Sequence, residues 1–113
     1  MSKQDDAVRC RHMLDAALKA RQFMRGRARA DLDTDEQLVL ALVRLLEVLG
    51  EAARAVTPNF RQRAPQIPWQ QIAGTRDRLI HGYYDVDLDI IWQILTADLP
   101  PLIAQLEQLL TSA

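Results

Sequence analysis

The sequence predicts an all-α protein, an up-down bundle of four to five helices that forms a single domain over residues 1–113. Three observations favour this fold. Apolar residues recur at helical spacing along most of the chain, glycine and proline separate these runs, and no stretch alternates apolar and polar residues as a half-buried strand would. With 113 residues, 49% hydrophobic and 26% charged, the chain has the composition of one globular domain, which excludes disordered and repetitive classes.

The first two helices are marked by their apolar faces and by their ends. Helix one is predicted over about residues 6–25, and Gly26 is suited to end it because glycine tolerates the left-handed conformation found there. Thr34 as N-cap and Gln37 three residues later form a capping box that starts helix two, and Pro58 stops it. Helix two is apolar on two sides, so we expect it to be the central helix of the bundle or part of a subunit interface.

The second half of the chain is predicted to hold two further helices. Residues 58–68 contain three prolines and no regular periodicity, which indicates a loop. The last of these prolines opens helix three, which Gly82 ends, and Asp85 or Asp87 caps helix four. Two consecutive prolines cannot occupy a helix interior, so the final helix is expected to kink or restart near residues 98–101.

Composition and charge narrow the class of function. One cysteine, Cys10, cannot form an internal disulfide, and with two histidines it cannot complete a tetrahedral zinc site without carboxylates or a second chain. The first ten residues carry acids where a signal peptide is apolar, and no uncharged apolar run could span a bilayer, so we expect a cytoplasmic protein that has no membrane partner. Residues 1–30 hold 8 basic and 3 acidic residues, net +5, which leaves −6 for the rest. Such polarity steers anions to one face, although a solvated helix surface carries the same pattern.

One compact group of reactive residue types stands out, residues 75–84. The common cofactor, phosphate-loop and metal motifs are absent from the sequence, so no cofactor is predicted. On a regular helix Arg76 and His81 are about 7.5 Å apart along the axis and about 140° apart around it, so they do not share a face. Asp77 and His81, four residues apart, do share one, and the carboxylate is expected to orient the imidazole.

These residue types suit the cleavage of RNA without a metal ion. A phosphodiester needs a group that takes the proton from the attacking hydroxyl and a cation that holds the growing charge, and an imidazole and a guanidinium meet those needs. RNA supplies its own nucleophile, the 2′-hydroxyl beside each phosphate. A solvated helix end also carries such residues, so the spacing alone leaves both interpretations open.

Further elements accompany this motif in order along the chain. The series comprises Gly50-Glu51-Ala52, Ile67-Pro68-Trp69, Arg76-x4-His81-x-Tyr83, Val86-Asp87-Leu88 and Asp98-Leu99-Pro100-Pro101-Leu102. From about residue 38 to about residue 110 it resembles the HepT toxins of the HEPN superfamily, and the resemblance implies a HEPN-type helical bundle.

The resemblance also implies a small ribonuclease toxin of a type VII-like HepT/MntA toxin–antitoxin system. Arg76 and His81 would form the active site, and Asp77 fits the polar residue that usually follows the motif arginine. Two copies would pair as a homodimer so that both motifs face one cleft for the RNA substrate. The antitoxin partner, an MntA-type nucleotidyltransferase, would silence the toxin by transferring AMP to Tyr83, because the added phosphates repel RNA.

Two questions stay open from the sequence. Glu51 lies four residues after Glu47 on helix two, and it either positions Arg76 or the partner chain's motif, or pairs with Arg54 or Arg44 at the helix surface. The alternative function is a non-catalytic HEPN subunit that binds nucleotide and regulates a two-component nucleotidyltransferase. A purely structural dimerisation bundle is the third interpretation.

Other residues with chemical potential are expected to be structural. Trp69 and Trp92 lie on apolar faces and are predicted to pack in the core rather than to stack against bases. His12 is expected at the surface, and Cys10 is expected to be an inert buried thiol.

Overall fold

The computed structural model describes residues 3–81 and 85–111, with side chains from residue 5 onward. It contains helices α1 (Lys3–Met24), α2 (Asp31–Thr34), α3 (Glu36–Ala55), α4 (Pro58–Arg61), α5 (Trp69–Ala73), α6 (Thr75–Leu79), α7 (Leu88–Gln93) and α8 (Leu99–Thr111), a π-helical segment (Ile94–Asp98), and the short strands β1 (Ile80–His81) and β2 (Asp85–Val86). The prediction of an all-α helical bundle is confirmed. None of the described helices is both long and apolar enough to cross a membrane.

Helix α3 is the central helix of the bundle. It packs against α1, α5 and α6, while α8 also packs against α1. Its buried side chains include Leu42 and Leu46, which share one hydrophobic cluster with Met13 and Ala17 of α1. Of the two expectations for this doubly apolar helix, the central position is therefore confirmed.

The end of α1 agrees with the sequence, but the start of α3 does not. Gly26 has a φ of 75° just beyond α1, as predicted for a glycine that ends a helix. Thr34 is not the N-cap of α3, because it lies inside the short helix α2, which buries Leu32. The cap is Asp35, whose carboxylate accepts a 3.0 Å hydrogen bond from the amide of Leu38.

Residues 58–68 are not a loop throughout. Pro58 occupies the first turn of α4, where its missing N–H costs nothing, and Thr57 caps that helix. The buried carboxylate of Asp6 accepts hydrogen bonds from the amide and hydroxyl of Thr57 at 2.9 and 2.7 Å. Arg61 then donates to the carbonyl of Ala53 near the end of α3, so α4 is tied to both long helices.

The predicted third helix is split in two. Gly74 separates α5 from α6, and the chain becomes extended at Ile80, where φ is −117° and ψ is 119°. The strands β1 and β2, which the sequence analysis did not predict, pair antiparallel with Ile80 opposite Val86. Between the two candidate caps of the next helix, Asp87 is the one used, since its carboxylate accepts a bond from the amide of Ile90. The expected helix end at Gly82 lies outside the described residues.

The π-helical segment explains how two prolines fit into the last helical stretch. Because Leu99 donates to the carbonyl of Ile94, the next donor in that register would be Pro100, which has no N–H. The carbonyl of Leu95 therefore lacks a backbone partner, and Arg21 of α1 supplies a 3.1 Å hydrogen bond to it. The expected irregularity near residues 98–101 is confirmed, and a side chain from another helix stabilises it.

Candidate active site

Arg76 lies on α6 with its side chain 69% exposed, beside the central helix. Its Nε is 3.6 Å from a carboxylate oxygen of Glu47, which is only 21% exposed. Both residues line a small cavity of about 70 Å³ together with Glu51 and Arg54. A long ion pair at an exposed guanidinium is weak, so Glu47 restrains Arg76 only slightly and most of the guanidinium faces solvent.

Gly50 explains why α6 sits so close to the central helix. A Cβ atom at this position would lie 3.0 Å from the carbonyl oxygen of Ile72, so a larger residue would push α3 and α5 apart by a few tenths of an ångström. Two hydrogen bonds fix the junction that follows: the buried hydroxyl of Thr75 donates to Ile72, and Arg54 donates to the carbonyl of Ala73. The position of Arg76 is thereby set by backbone contacts rather than by its own side chain.

His81 lies on β1 with its side chain 60% exposed. Its Nε2 is 3.4 Å from one carboxylate oxygen of Asp87, while the other oxygen caps α7 through the amide of Ile90. That amide hydrogen bond, with a smaller contribution from His81, holds the pKa of Asp87 below its ordinary value. The imidazole therefore faces a carboxylate that stays ionised and is held by a helix N-terminus.

The predicted contact between Asp77 and His81 is wrong. Helix α6 ends at Leu79, so the two residues do not sit one helical turn apart, and Asp77 is exposed. Asp87 takes the place beside the imidazole instead. The signal was available in the element Val86-Asp87-Leu88, but only the pairing of β1 with β2 brings it next to His81.

Glu51 does not pair with Arg76 in the described structure. It is exposed and lines the same cavity, but the carboxylate beside Arg76 is that of Glu47, one turn earlier on α3. Arg54, one of the partners considered for Glu51, donates to a backbone carbonyl. Among the described residues no hydrogen bond or ion pair joins Arg76 to His81, so each is held separately on consecutive elements.

Comparison with known proteins decides the family. The model of the family described as "Ribonuclease HepT-like" matches residues 13–109. The chain belongs to the HepT-like ribonuclease family. It is 35% identical over 88 residues to a Thermococcus cleftensis protein named "Probable ribonuclease HepT", covering 78% of this chain and 80% of the relative.

Two further relatives cover more of the HepT-like chain. A protein of Caldanaerobacter subterraneus subsp. tengcongensis named "Putative RNase TTE0752" is 35% identical over 99 residues, 88% of each chain. One from Methanocaldococcus jannaschii named "Putative RNase MJ1380" is 30% identical over 107 residues, 95% of this chain and 98% of the relative. No solved structure gives a significant match. The resemblance to HepT proteins inferred from the motifs is thus confirmed.

One residue of the HepT-like motif, Arg78, is not part of the Arg76 cavity. Arg78, two residues further on α6, turns to the other side and forms a 3.5 Å ion pair with Asp98 beside a cavity of about 280 Å³. Tyr83 falls on residues 82–84, which lie outside the described residues, and its predicted modification is not tested. Over residues 3–81 and 85–111, no group of three or more histidine, cysteine or acidic side chains could hold a metal ion.

The expectations for Trp69, His12 and Cys10 agree with the HepT-like structure. Trp69 is buried and its indole nitrogen donates to the carbonyl of Ala64 at 3.0 Å. Trp92 packs against the same core but is only half-buried and also lines a surface cleft, so its predicted core position is confirmed in part. His12 is exposed. Burial raises the pKa of the Cys10 thiol to about 11, as expected for an inert core cysteine.

Proposed function

We propose that this protein is the RNA endonuclease, and the toxin, of a type VII-like HepT/MntA pair. The observation that carries the proposal is the exposure of Arg76 and His81 on consecutive elements, each oriented by a carboxylate, in a chain of a ribonuclease family. Neither side chain has an evident structural role, because both are more than half exposed and their ion pairs are long.

The proposed chemistry is the attack of a ribose 2′-hydroxyl on its own phosphate. His81 takes the hydroxyl proton, the 2′-oxygen bonds to phosphorus, and Arg76 holds the charge on the non-bridging oxygens. The bond from phosphorus to the 5′-oxygen then breaks, and that oxygen leaves with a proton from a water molecule. The products are a 2′,3′-cyclic phosphate and a 5′-hydroxyl end. The nucleophile comes from the substrate, so the proposed reaction uses no metal ion.

A homodimer completes this proposal. Two separate motifs, related by a two-fold axis, bring Arg76 of one chain and His81 of the other to one phosphodiester even though the two residues are not joined within a chain.

The direct test is cleavage of RNA by the purified protein in EDTA. We expect cyclic-phosphate ends, and a loss of about 10²–10⁴-fold in rate for His81→Ala, as is usual for a general acid–base residue. His12→Ala is the matched control, since it removes the other histidine, on α1, and should cleave like the parent. RNA that survives unless metal is added, or an active His81→Ala variant, would overturn the mechanism. Tight ATP binding without cleavage would favour the regulatory subunit instead.

Control by the antitoxin is a separate part of the proposal. We expect co-expression with an MntA-type nucleotidyltransferase to add mass to this protein in multiples of one AMP unit and to stop RNA cleavage, because phosphates at the motif repel RNA. Tyr83→Phe should abolish the adduct, and Tyr84→Phe is the matched control that should keep it. An adduct that persists on Tyr83→Phe would place the modified residue elsewhere.

A further inference from the structure

A basic cleft lies between the C-terminal end of α1 and the helical stretch formed by α7 and the π-helical segment. Its volume is about 330 Å³, and its lining includes Arg21, Arg25 and Arg27 as well as Trp92 and Thr96. Three guanidinium groups and no carboxylate line this space among the described residues. The cleft thus concentrates positive charge on a chain whose net charge is −1.

The three arginines are held to different degrees. Arg21 donates to the carbonyl of Leu95, which fixes its guanidinium at the cleft wall. Arg27 is 3.1 Å from Asp35 and 38% exposed, so it keeps donors that face solvent. Arg25 is exposed and forms no ion pair with any residue that the structure describes. An anion in the cleft would therefore meet one fixed, one partly paired and one free guanidinium.

Trp92 gives the cleft an aromatic surface. Unlike Trp69, which is only 6% exposed, Trp92 is half-buried, so it packs against the core and still lines the cleft. An aromatic side chain beside guanidinium groups is the combination that binds single-stranded nucleic acid, because bases stack on the ring while phosphates pair with the cations.

We propose that this cleft binds a single-stranded segment of the RNA substrate, with phosphates on Arg25 and Arg27 and a base stacked on Trp92. This inference rests on the proposed ribonuclease function. The cleft and His81 are connected through α7, because Asp87, 3.4 Å from His81 of β1, caps that helix and Trp92 follows five residues later. This spacing is about 7.5 Å along the axis and about 140° around it, so an RNA strand cut at His81 crosses α7 to reach the cleft.

RNA binding by a variant without cleavage activity tests the cleft. In a His81→Ala background, fluorescence anisotropy with a labelled 12-nucleotide RNA should show about 10-fold weaker binding for Arg25→Gln, and a salt slope smaller by about 0.7. Arg11→Gln is the matched control, because it removes the same charge from an exposed position on α1 about 21 Å away along the helix. Its affinity should stay within about 2-fold of the parent.

Tryptophan fluorescence gives an independent measurement. RNA should quench the emission of the His81→Ala protein, and Trp92→Leu should lose the quenching and bind about 10-fold more weakly, as expected for a lost stacking contact. Trp92→Phe keeps an aromatic ring in the core and should bind with intermediate affinity. Circular dichroism of each variant shows whether it is folded.

The outcomes separate this inference from the proposed function. If Arg25→Gln and folded Trp92→Phe bind the 12-nucleotide RNA like the parent, while His81 is still required for cleavage, the cleft is not an RNA site and the ribonuclease proposal stands. If the parent binds no RNA, both fail. If Arg25→Gln keeps its RNA affinity but no longer binds the nucleotidyltransferase partner, the cleft is a protein interface and the inference is overturned.

Discussion

Asp87 combines two roles in one carboxylate. One oxygen accepts the amide of Ile90 and starts α7, while the other lies 3.4 Å from His81. A side chain that caps a helix has few accessible rotamers, so the oxygen facing His81 is held in place. Asp87 is therefore a positioning residue that lets the start of α7 set the orientation of the imidazole.

Two substitutions of Asp87 separate these roles. Asn caps helices as well as Asp does, so Asp87→Asn should leave the melting temperature nearly unchanged but lower the cleavage rate by about 10-fold, because the charge beside the imidazole is lost. Asp87→Ala should lower the rate and also cost about 1 kcal/mol of stability. Thermal unfolding and single-turnover cleavage measure the two effects. A fully active Asp87→Asn protein would reduce Asp87 to a helix cap.

At the scale of the helices, the close approach of α3 and α5 positions the following helix α6, which carries Arg76. A Cβ at Gly50 would lie 3.0 Å from the carbonyl oxygen of Ile72, whereas one at Gly74 would have no neighbour nearer than 3.6 Å. The first position is closed by backbone, and the second has room. Substituting each glycine by alanine therefore distinguishes close packing from the general effect of adding a methyl group.

Gly50→Ala should destabilise the protein by about 1 kcal/mol, because the cost of moving α3 and α5 apart by a few tenths of an ångström exceeds the roughly 1 kcal/mol that alanine gains over glycine inside a helix. The shift also moves Arg76, so the cleavage rate should fall more than the loss of folded protein explains. Gly74→Ala is the matched control and should keep both stability and activity within about 1 kcal/mol of the parent. Equal behaviour of the two variants in urea unfolding would contradict this account.

A second element-level contact ties α1 to the start of α4. Burial would raise the pKa of Asp6, but the hydrogen bonds from Thr57 and the nearby charge of Arg9 outweigh it, so the pKa lies below the ordinary 3.8. The folded state thus binds the proton less readily than the unfolded chain. Its stabilising contribution is complete above pH 3.8 and is lost as the pH falls through the lower folded value.

Asp6→Ala should therefore remove about 1–3 kcal/mol at neutral pH, because Thr57 loses both acceptors. The difference between parent and variant should shrink as the pH falls below 3.8. Asp15→Ala, an exposed acid on the same helix, is the control and should show little effect at any pH. Urea unfolding over this range gives the comparison, and a difference independent of pH would contradict the assigned role.

The sequence predicted helices and their apolar faces better than it predicted the contacts of the motif. Gly26 was identified because the end of a helix is a local property. Asp77 was placed beside His81 by assuming that one helix continues, whereas α6 ends at Leu79. Asp87, rather than Asp77, lies beside His81 because β1 pairs with β2. This pairing involves only two residues on each strand and leaves no alternating pattern in the sequence to detect.

The contact between Glu47 of α3 and Arg76 was also not predicted, because it too depends on packing between elements. Glu47 and Glu51 are one turn apart and both line the cavity of Arg76, so periodicity could not distinguish between them. The choice depends on how closely α5 and α6 approach, which is set by Gly50. The sequence identified the Gly50-Glu51-Ala52 element, but the role of its glycine follows only from the packing.

At the scale of the whole molecule, charge is separated along the chain. Residues 1–30 carry net +5 and the remainder −6, and the basic cleft lies at the end of the positive region. Part of this charge is neutralised locally, because Arg27 pairs with Asp35 and Arg29 pairs with Asp33 and Asp89. The cations of the cleft that stay unpaired attract an anionic strand to this end of the chain.

If two chains share an active site, mixing two inactive variants should restore cleavage activity. If Arg76 of one copy acts with His81 of the other, a mixture of Arg76→Ala and His81→Ala chains contains active sites although each variant alone is inactive. Random assortment makes half of the dimers mixed, each with one intact pair of two, so we expect the mixture to show about one quarter of the parent rate. Co-expression with two tags isolates the mixed dimers, for which we expect about one half of the parent rate. Arg76→Ala mixed with the double variant is the matched control, because no pairing restores its arginine. If the mixed dimers stay inactive, Arg76 and His81 of the same chain act together. The carboxylates of Glu47 and Asp87 would then have to hold both side chains at the phosphate without help from a second chain.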